Sequence, residues 1–311
     1  MYNFTPEEAV KIEGRFGKAF YDRLGEKLDR CAERWELKRM ELLPSFSANC
    51  VFTCESAAFG KAILKLGPPG RERSTEASAL QEYNGGRFCR LYTADLAEGA
   101  ILEERILPGT PLRAEQSTEK RLSVYSGLVS GLHKEPSDPG AYPSYLDWVS
   151  RIAYFMQGQE DFRELSGHMQ RAEALCRVLW AAYPRRLLLH GDLHHDNILL
   201  GEGGAYRIID PKGVVGDPVF DVPRFILNEM DETIAPDTYG RLNTVIVKLT
   251  GLLNIPEAVI RQCLYIETAM SQCWNVESGM TPSMDHVELA EALMAEAGAN
   301  PLAQPDAGTQ G

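Results

Sequence analysis

The chain has 311 residues, 44 % of them hydrophobic and 24 % charged, and a formal net charge of -12. That length is enough for two packed cores, and the acidity argues against a nucleic-acid binder, which needs a basic face to displace counterions. The opening M-Y-N-F-T-P-E-E-A-V-K has neither a basic start nor an apolar centre. No run of about 18 apolar residues occurs either, so no signal peptide or membrane span is expected and the cytoplasm is the expected compartment. The seven cysteines are odd in number and scattered, and Cys50 and Cys54 have no second pair at zinc-finger spacing, so reduced thiols are expected.

Thr5-Pro6-Glu7-Glu8 reads as a capping box, and Val10, Ile12, Phe16, Phe20, Leu24 and Leu28 continue at helical spacing, which predicts one long amphipathic helix. Strands are predicted over Trp35–Leu43, Asn49–Ser56 and Ala62–Leu66, the first two joined by a loop over residues 44–48. After P-P-G-R-E-R comes a helix carrying Glu76, Ala77, Leu80 and Tyr83, then two more strands, Phe88–Tyr92 and Ala100–Leu107. Pro108, Gly109 and Pro111 mark the end of this first lobe, residues 1–107. The second, mainly helical lobe, residues 108–295, opens with an amphipathic helix over Glu115–His133. A Pro- and Gly-rich link, Lys134–Pro143, and further helices within Tyr145–Tyr183, Pro218–Asn228, Asp237–Leu253 and Pro256–Trp274 complete it. Residues 296–311 form a tail that lacks apolar period from Ala297 and is expected to be disordered.

The chain is organised around Arg186–Asp221. Leu187–Leu189 is an apolar strand that delivers His190 and Asp192 to a loop, and Asn197 follows where the next apolar run begins. A hairpin carried by Gly201, Gly203 and Gly204 then returns Ile208 and Ile209 antiparallel, which sets Asp210 beside Asn197. A lone carboxylate can orient or deprotonate a hydroxyl. An amide oxygen with a second carboxylate supplies the hard ligands Mg²⁺ prefers on nucleotide phosphates, so the pattern reads as phosphoryl transfer. A zinc hydrolase is disfavoured because the histidines and aspartates fall in neither H-x-H-x-D-H nor H-E-x-x-H spacing. Asp217 before Pro218 reads first as a helix N-cap.

H-x-D-x-x-x-x-N followed by a strand ending in Asp resembles the catalytic loop and metal strand of the protein-kinase-like fold. H-G-D and I-D-P place the resemblance on the aminoglycoside phosphotransferase side. The continuation D-P-K-G-V-V-G-D-P-V-F-D-V-P-R-F, with A-I-L-K-L-G-P-P, E-R-I-L-P-G-T-P-L and A-M-S-Q-C-W-N-V-E-S-G, is similar to the streptomycin 6-phosphotransferase and hydroxyurea kinase family over roughly residues 35–280. The resemblance implies an α+β, bilobal protein-kinase-like fold with a small antiparallel-sheet lobe and a larger mainly helical lobe. It implies ATP (or GTP) and Mg²⁺ as cofactors, Asp192 as catalytic residue, and Asn197 and Asp210 as metal ligands. Lys65 stands for the lysine that holds the α- and β-phosphates, with Glu76 as its acidic partner and Glu72 as competitor. The hinge falls at Glu104, Arg105 and Leu107, whose backbone would meet the purine edge. The loop that covers the phosphates has no glycine, leaving backbone amides and the hydroxyls of Ser45 and Ser47. By the same resemblance His190 packs under the loop without chemistry, and Asp221 bonds the loop backbone from below.

The expected activity is transfer of the γ-phosphoryl group to a hydroxyl of a small cationic acceptor, with streptomycin leading and hydroxyurea or a nucleotide-binding pseudoenzyme as alternatives. No nucleic-acid or membrane partner is expected, and oligomeric state is not legible. Asp192, His194, Asp196, Asp217, Trp274 and Glu277 are the candidate acceptor cleft, where carboxylates would meet ammonium or guanidinium groups and an indole would stack on a guanidinium plane. A protein kinase is disfavoured because no A-P-E segment follows Asp210.

Overall fold

The structure is a computed structural model that describes residues 2–44, 49–230 and 233–296. These fall into two compact units. Unit 1 holds the described residues of Met1–Ala114, Pro136–Tyr142 and Asp196–Gly213; unit 2 holds those of Glu115–Glu135, Pro143–His195 and Val214–Gly311.

Unit 1 begins with α1 (Pro6–Phe16) and α2 (Lys18–Arg34). The Thr5 hydroxyl accepts from the Glu8 N–H at 3.2 Å and Glu8 accepts from the Thr5 N–H at 2.8 Å, the reciprocal cap read from the sequence. The single long helix expected from the apolar period is broken at Gly17, whose φ of +83° is open to glycine and strained for other residues. On α2 the buried positions Leu24, Lys27, Leu28 and Cys31 form one stripe, of which Leu24, Leu28 and Cys31 join Trp35 and Phe52 in the core of this unit. Strands β1 (Leu37–Leu42), β2 (Cys50–Ser56) and β3 (Gly60–Leu66) come next, then α3 (Arg71–Tyr83), β4 (Leu91–Asp95) and β5 (Ala100–Glu104). The five strands make one antiparallel sheet in the order β1-β2-β3-β5-β4. The fourth strand lies later than expected. Phe88 is apolar because it stacks on Tyr83 with ring centroids 3.9 Å apart and bridges Ile208, so it is not a strand residue of that sheet.

Five short strands follow in chain order: β6 (Thr110–Pro111), β7 (Leu187–Leu189), β8 (Ile198–Leu200), β9 (Tyr206–Ile208) and β10 (Val214–Gly216). In unit 1, β6, β8 and β9 form a three-stranded sheet in which Ile198 faces Ile208 and Leu200 faces Tyr206. This is the predicted hairpin, turned by Gly203 and Gly204 at φ +71° and +83°.

Unit 2 pairs β7 with β10 and is otherwise helical: α4 (Thr118–Val129), α5 (Tyr145–Met156), α6 (Arg163–Ala182), α7 (Pro223–Leu227), α8 (Thr238–Leu253), α9 (Glu257–Glu277) and α10 (Met284–Glu296). The first of these is shorter than its apolar pattern, since Ser117 caps it by accepting from the Lys120 N–H at 3.3 Å and Gly131 at φ +64° follows its end. Helix α9 is buried on nearly every side from Val259 to Cys273, so it forms the centre of this unit. Among the described residues no helix is long and apolar enough to cross a membrane. All seven cysteines are free and buried, and burial pushes the thiols of Cys50, Cys176 and Cys273 up to about 12. The tail after Glu296, and Ser45 and Ser47, lie outside the described residues.

Candidate functional site

In unit 1 the ammonium of Lys65 is surrounded by carboxylates. Its register on β3, opposite Ile101 of β5, turns it into the interior, where its side chain is 3 % exposed. Nζ lies 2.8 Å from Glu76 Oε1 and 2.9 Å from Glu103 Oε1, and it also bonds Asp210. Burial alone would lower its proton affinity, yet Asp210, Glu103 and Glu76 together raise it well above the ordinary lysine value. Arg73 grips the other oxygen of Glu76 and also bonds Asn49, so the acidic partner is itself fixed. Glu72, the competing carboxylate, is instead paired with Lys212 at 2.6 Å.

Glu103 was not singled out in the sequence. It is 2 % exposed, and burial first, then Asp210 and Glu76, push its carboxyl up to about 7 against the pull of Lys65. The one available signal was a glutamate inside the apolar strand A-I-L-E-E.

Asp210 sits just past β9 at φ +59°, a left-handed conformation rare outside glycine and asparagine. The Ile209 N–H donates to the Asn197 carbonyl at 3.0 Å, which sets Ile209 opposite Asn197 and Asp210 directly after it. Glu76, Glu103 and Asp210 bring oxygens within 4.8 Å of one another, a geometry that could hold a cation. Lys65 already bonds all three. Asp210 is the most exposed of them at 41 %, and its carboxylate with the Asn197 amide would be a hard oxygen donor set of the kind that fits Mg²⁺. Glu104, Arg105 and Leu107 line a recess of about 310 Å³ with Lys61, Tyr92 and Arg207, and the Glu104 side chain is held by Arg207 at 2.9 Å.

In unit 2 the loop His190-Gly191-Asp192 is held by Asp221. The His190 N–H donates to Asp221 Oδ2 at 2.8 Å, the Gly191 N–H to Oδ1 at 2.7 Å, and His133 Nε2 lies 2.9 Å from Oδ2. Burial pushes the Asp221 carboxyl up, but the bond with His133, the nearby charge of His133 and the Gly191 N–H outweigh it and hold it below its usual value. Gly191 is required, since φ is +80° and a Cβ would stand 2.9 Å from Trp148 and Val214. His190 is fully buried and its Nδ1 accepts from the Asp192 N–H at 3.0 Å, which shapes the turn. The Asp192 carboxylate is 23 % exposed, with Arg224 Nε 3.1 Å from Oδ1 and His194 Nε2 3.8 Å from Oδ2.

Most of the expected acceptor-side carboxylates already hold an arginine. Asp217 is 1 % exposed, caps the turn at Val219 at 3.2 Å and takes two bonds from Arg185, at 2.9 and 3.0 Å. Its oxygens are thus taken by the turn and by Arg185, which is itself 61 % exposed. Asp196 is paired with Arg113 at 2.7 Å in unit 1, and Glu277 with Arg151 at 2.5 Å in unit 2. Both pairs are partly exposed and therefore exchangeable. Trp274 packs edge-on against Trp148 at 6.0 Å, and the guanidinium over its ring, at 5.5 Å, belongs to Arg224.

His195 is buried, stacks on Phe225 at 4.1 Å and lies 2.9 Å from Glu229, which also takes Arg121 at 2.7 Å. Burial raises the Glu229 carboxyl, but the bonds from His195 and Arg121 prevail and bring it from 4.5 down to about 2. A depressed carboxyl stabilises the fold above its unfolded value and loses that contribution as pH falls through its folded one, so the loss runs from about pH 4.5 to 2. Glu229→Gln is expected to remove up to about 3 kcal/mol at neutral pH and to flatten acid unfolding across that window, measured by denaturant titration at several pH values.

Residues 34–279 match the family described as aminoglycoside/hydroxyurea antibiotic resistance kinase. The chain is 27 % identical over 298 residues to the streptomycin 6-kinase of Streptomyces griseus, covering 92 % of this chain and 94 % of that one. It is 28 % identical over 306 residues to the hydroxyurea phosphotransferase of Kitasatospora aureofaciens (94 % and 86 %) and 34 % identical over 262 to a streptomycin 3″-kinase of Klebsiella pneumoniae (79 % and 91 %). Among solved structures it is similar to choline kinase LicA of Streptococcus pneumoniae, with TM-score 0.65, 16 % identity and coverage of 88 % and 99 %. It is also similar to aminoglycoside phosphotransferase APH(4)-Ia in a ternary complex with ADP and hygromycin B, with TM-score 0.60, 12 % identity and coverage of 88 % and 98 %. The fold is α+β and protein-kinase-like, with its antiparallel sheet and its larger helical part. With the match spanning most of its length, the chain belongs to the aminoglycoside/hydroxyurea antibiotic resistance kinase family.

Proposed function

We propose that the protein transfers the γ-phosphoryl group of ATP to a hydroxyl of an aminoglycoside, with streptomycin as the leading acceptor. The observation that carries the reading is the Lys65 socket: a buried ammonium whose proton affinity is raised by the carboxylates around it, fixed by Glu76, next to a half-buried carboxylate, Asp210, that follows the Asn197 hairpin. Such an ammonium serves to hold phosphates, and phosphoryl transfer draws most of its catalysis from positioning and charge neutralisation. Asn197 and Asp210 would hold Mg²⁺, which when bound neutralises charge on the phosphates. Asp192 takes the proton of the acceptor hydroxyl as its oxygen bonds to the γ-phosphorus and the bond to the ADP oxygen breaks. The names of the streptomycin kinases among its relatives support the acceptor class.

A second reading, a small neutral acceptor such as hydroxyurea, is favoured by the arginines already seated on Asp192, Asp196 and Glu277 and by the hydroxyurea phosphotransferase among the relatives. The two separate when the purified protein is incubated with Mg²⁺-ATP and a panel of aminoglycosides, nucleosides and hydroxyurea, and the products are weighed. A mass gain on streptomycin supports the first; a gain on hydroxyurea alone replaces it with the second.

Lys65→Ala is expected to raise the nucleotide KM roughly 10- to 100-fold, the worth of a charge-assisted bond to phosphate, with acceptor KM little changed. Glu76→Ala is expected to do the same more weakly, and Glu72→Ala to do nothing beyond loosening Lys212. Steady-state kinetics with each substrate varied in turn gives the answer; equal effects on both KM values would detach Lys65 from the phosphates.

A further inference from the structure

Asp221 and Arg224 lie three positions apart, and both reach the His190–Asp192 loop. Asp221 takes the backbone N–H groups, while Arg224, from α7, sets Nε 3.1 Å from Asp192 Oδ1 and Nη2 2.9 Å from Glu267 Oε1. Glu267, on α9, is 3 % exposed and is itself fixed by the Tyr145 hydroxyl, which donates to its Oε2 at 2.6 Å. Trp274 closes one side of the guanidinium at 5.5 Å. An arginine that served packing alone could complete a two-pronged pair with Glu267. This one is shared between a helix carboxylate and the loop carboxylate.

We propose that Arg224 is a positioning residue for phosphoryl transfer, acting through Asp192, with Glu267 and Tyr145 as the struts that hold it. The inference rests on the reading of Asp192 as the acceptor of the hydroxyl proton. Neither Arg224 Nε nor Glu267 Oε1 makes an aligned hydrogen bond, so the hold is Coulombic. It keeps Asp192 near one place while leaving its oxygens directed at an incoming hydroxyl. A guanidinium does not deprotonate, so the loop carboxylate faces a fixed positive charge throughout turnover. Without Arg224 the guanidinium shared by Asp192 and Glu267 is gone, and repulsion between the two carboxylates turns Asp192 out of line.

Arg224→Ala is expected to lower kcat about 10- to 100-fold, the cost of a displaced catalytic group, with nucleotide KM unchanged. Guanidinium chloride at tens of millimolar should restore part of the rate, and sodium chloride at equal ionic strength should not. Arg224→Lys should retain more activity than Arg224→Ala, and in an Asp192→Ala background removal of Arg224 should cost nothing further. Wild-type kcat in Arg224→Ala, or an undiminished cost in the Asp192→Ala background, overturns the assignment. If Arg224→Ala fails to fold, Arg224→Lys and Glu267→Gln carry the same test, and wild-type kcat in both overturns it. Full activity in Asp192→Ala instead removes the underlying reading, an outcome distinct from any Arg224 result.

Discussion

Asp192→Ala is expected to lose roughly two to four decades of turnover, the range of a general base, while its melting temperature and nucleotide affinity stay near wild type. The side chain is 23 % exposed and belongs to a loop whose backbone is held by Asp221 and His190, so truncating it opens no core cavity. Arg224 keeps Glu267 as its partner. The Lys65 socket is built wholly from residues of unit 1, and a change in unit 2 leaves its contacts in place. Product mass under saturating nucleotide, together with calorimetric titration of nucleotide, measures the two halves separately. Wild-type turnover would take the chemistry away from Asp192. Unchanged nucleotide binding in a wild-type protein that phosphorylates nothing would favour the pseudoenzyme.

The geometry of the Asn197–Asp210 hairpin was legible because it is local. Asp192, Asn197 and Asp210 lie within a short stretch, where the alternation of Ile198 to Leu200 and Tyr206 to Ile208 fixes the register and two glycines fix the turn. The pairing of Lys65 with Glu76 was also readable, since a strand lysine and the next helix are neighbours in sequence as well as in space. Buried charge was harder to see. Glu103 and Glu267 sit in apolar runs where period cannot tell a surface glutamate from one that binds an interior cation. The arginines on Asp196, Asp217 and Glu277 come from positions 83, 32 and 126 residues away, beyond any local pattern. An acidic surface therefore looked more open to cationic ligands than the folded side chains leave it. Gly17 was missed for a different reason: the apolar period resumes after it, and period does not report a change of backbone φ.

Asp221→Ala is expected to reduce both stability and turnover, and its stability effect should be the larger of those proposed here. Alanine leaves the N–H groups of His190 and Gly191 and the His133 ring without their acceptor in a place that is 1 % exposed. Each buried unpaired group costs about 1–3 kcal/mol, so a total on the order of 5 kcal/mol is expected. For a chain of this size that is a fall of roughly 5–10 °C in melting temperature. Because the folded carboxyl lies below its usual value, its contribution is present at neutral pH and fades as pH falls through the folded value. The difference between wild type and variant should therefore narrow in strong acid. Turnover measured well below the variant's melting temperature should still fall about 100-fold, since a loop freed by an ångström misaims Asp192. Calorimetric scans at neutral and acid pH, with kinetics at low temperature, separate the two effects. A lowered melting temperature with full turnover would mean that the loop keeps its shape without the clamp, and that Asp221 serves the fold alone.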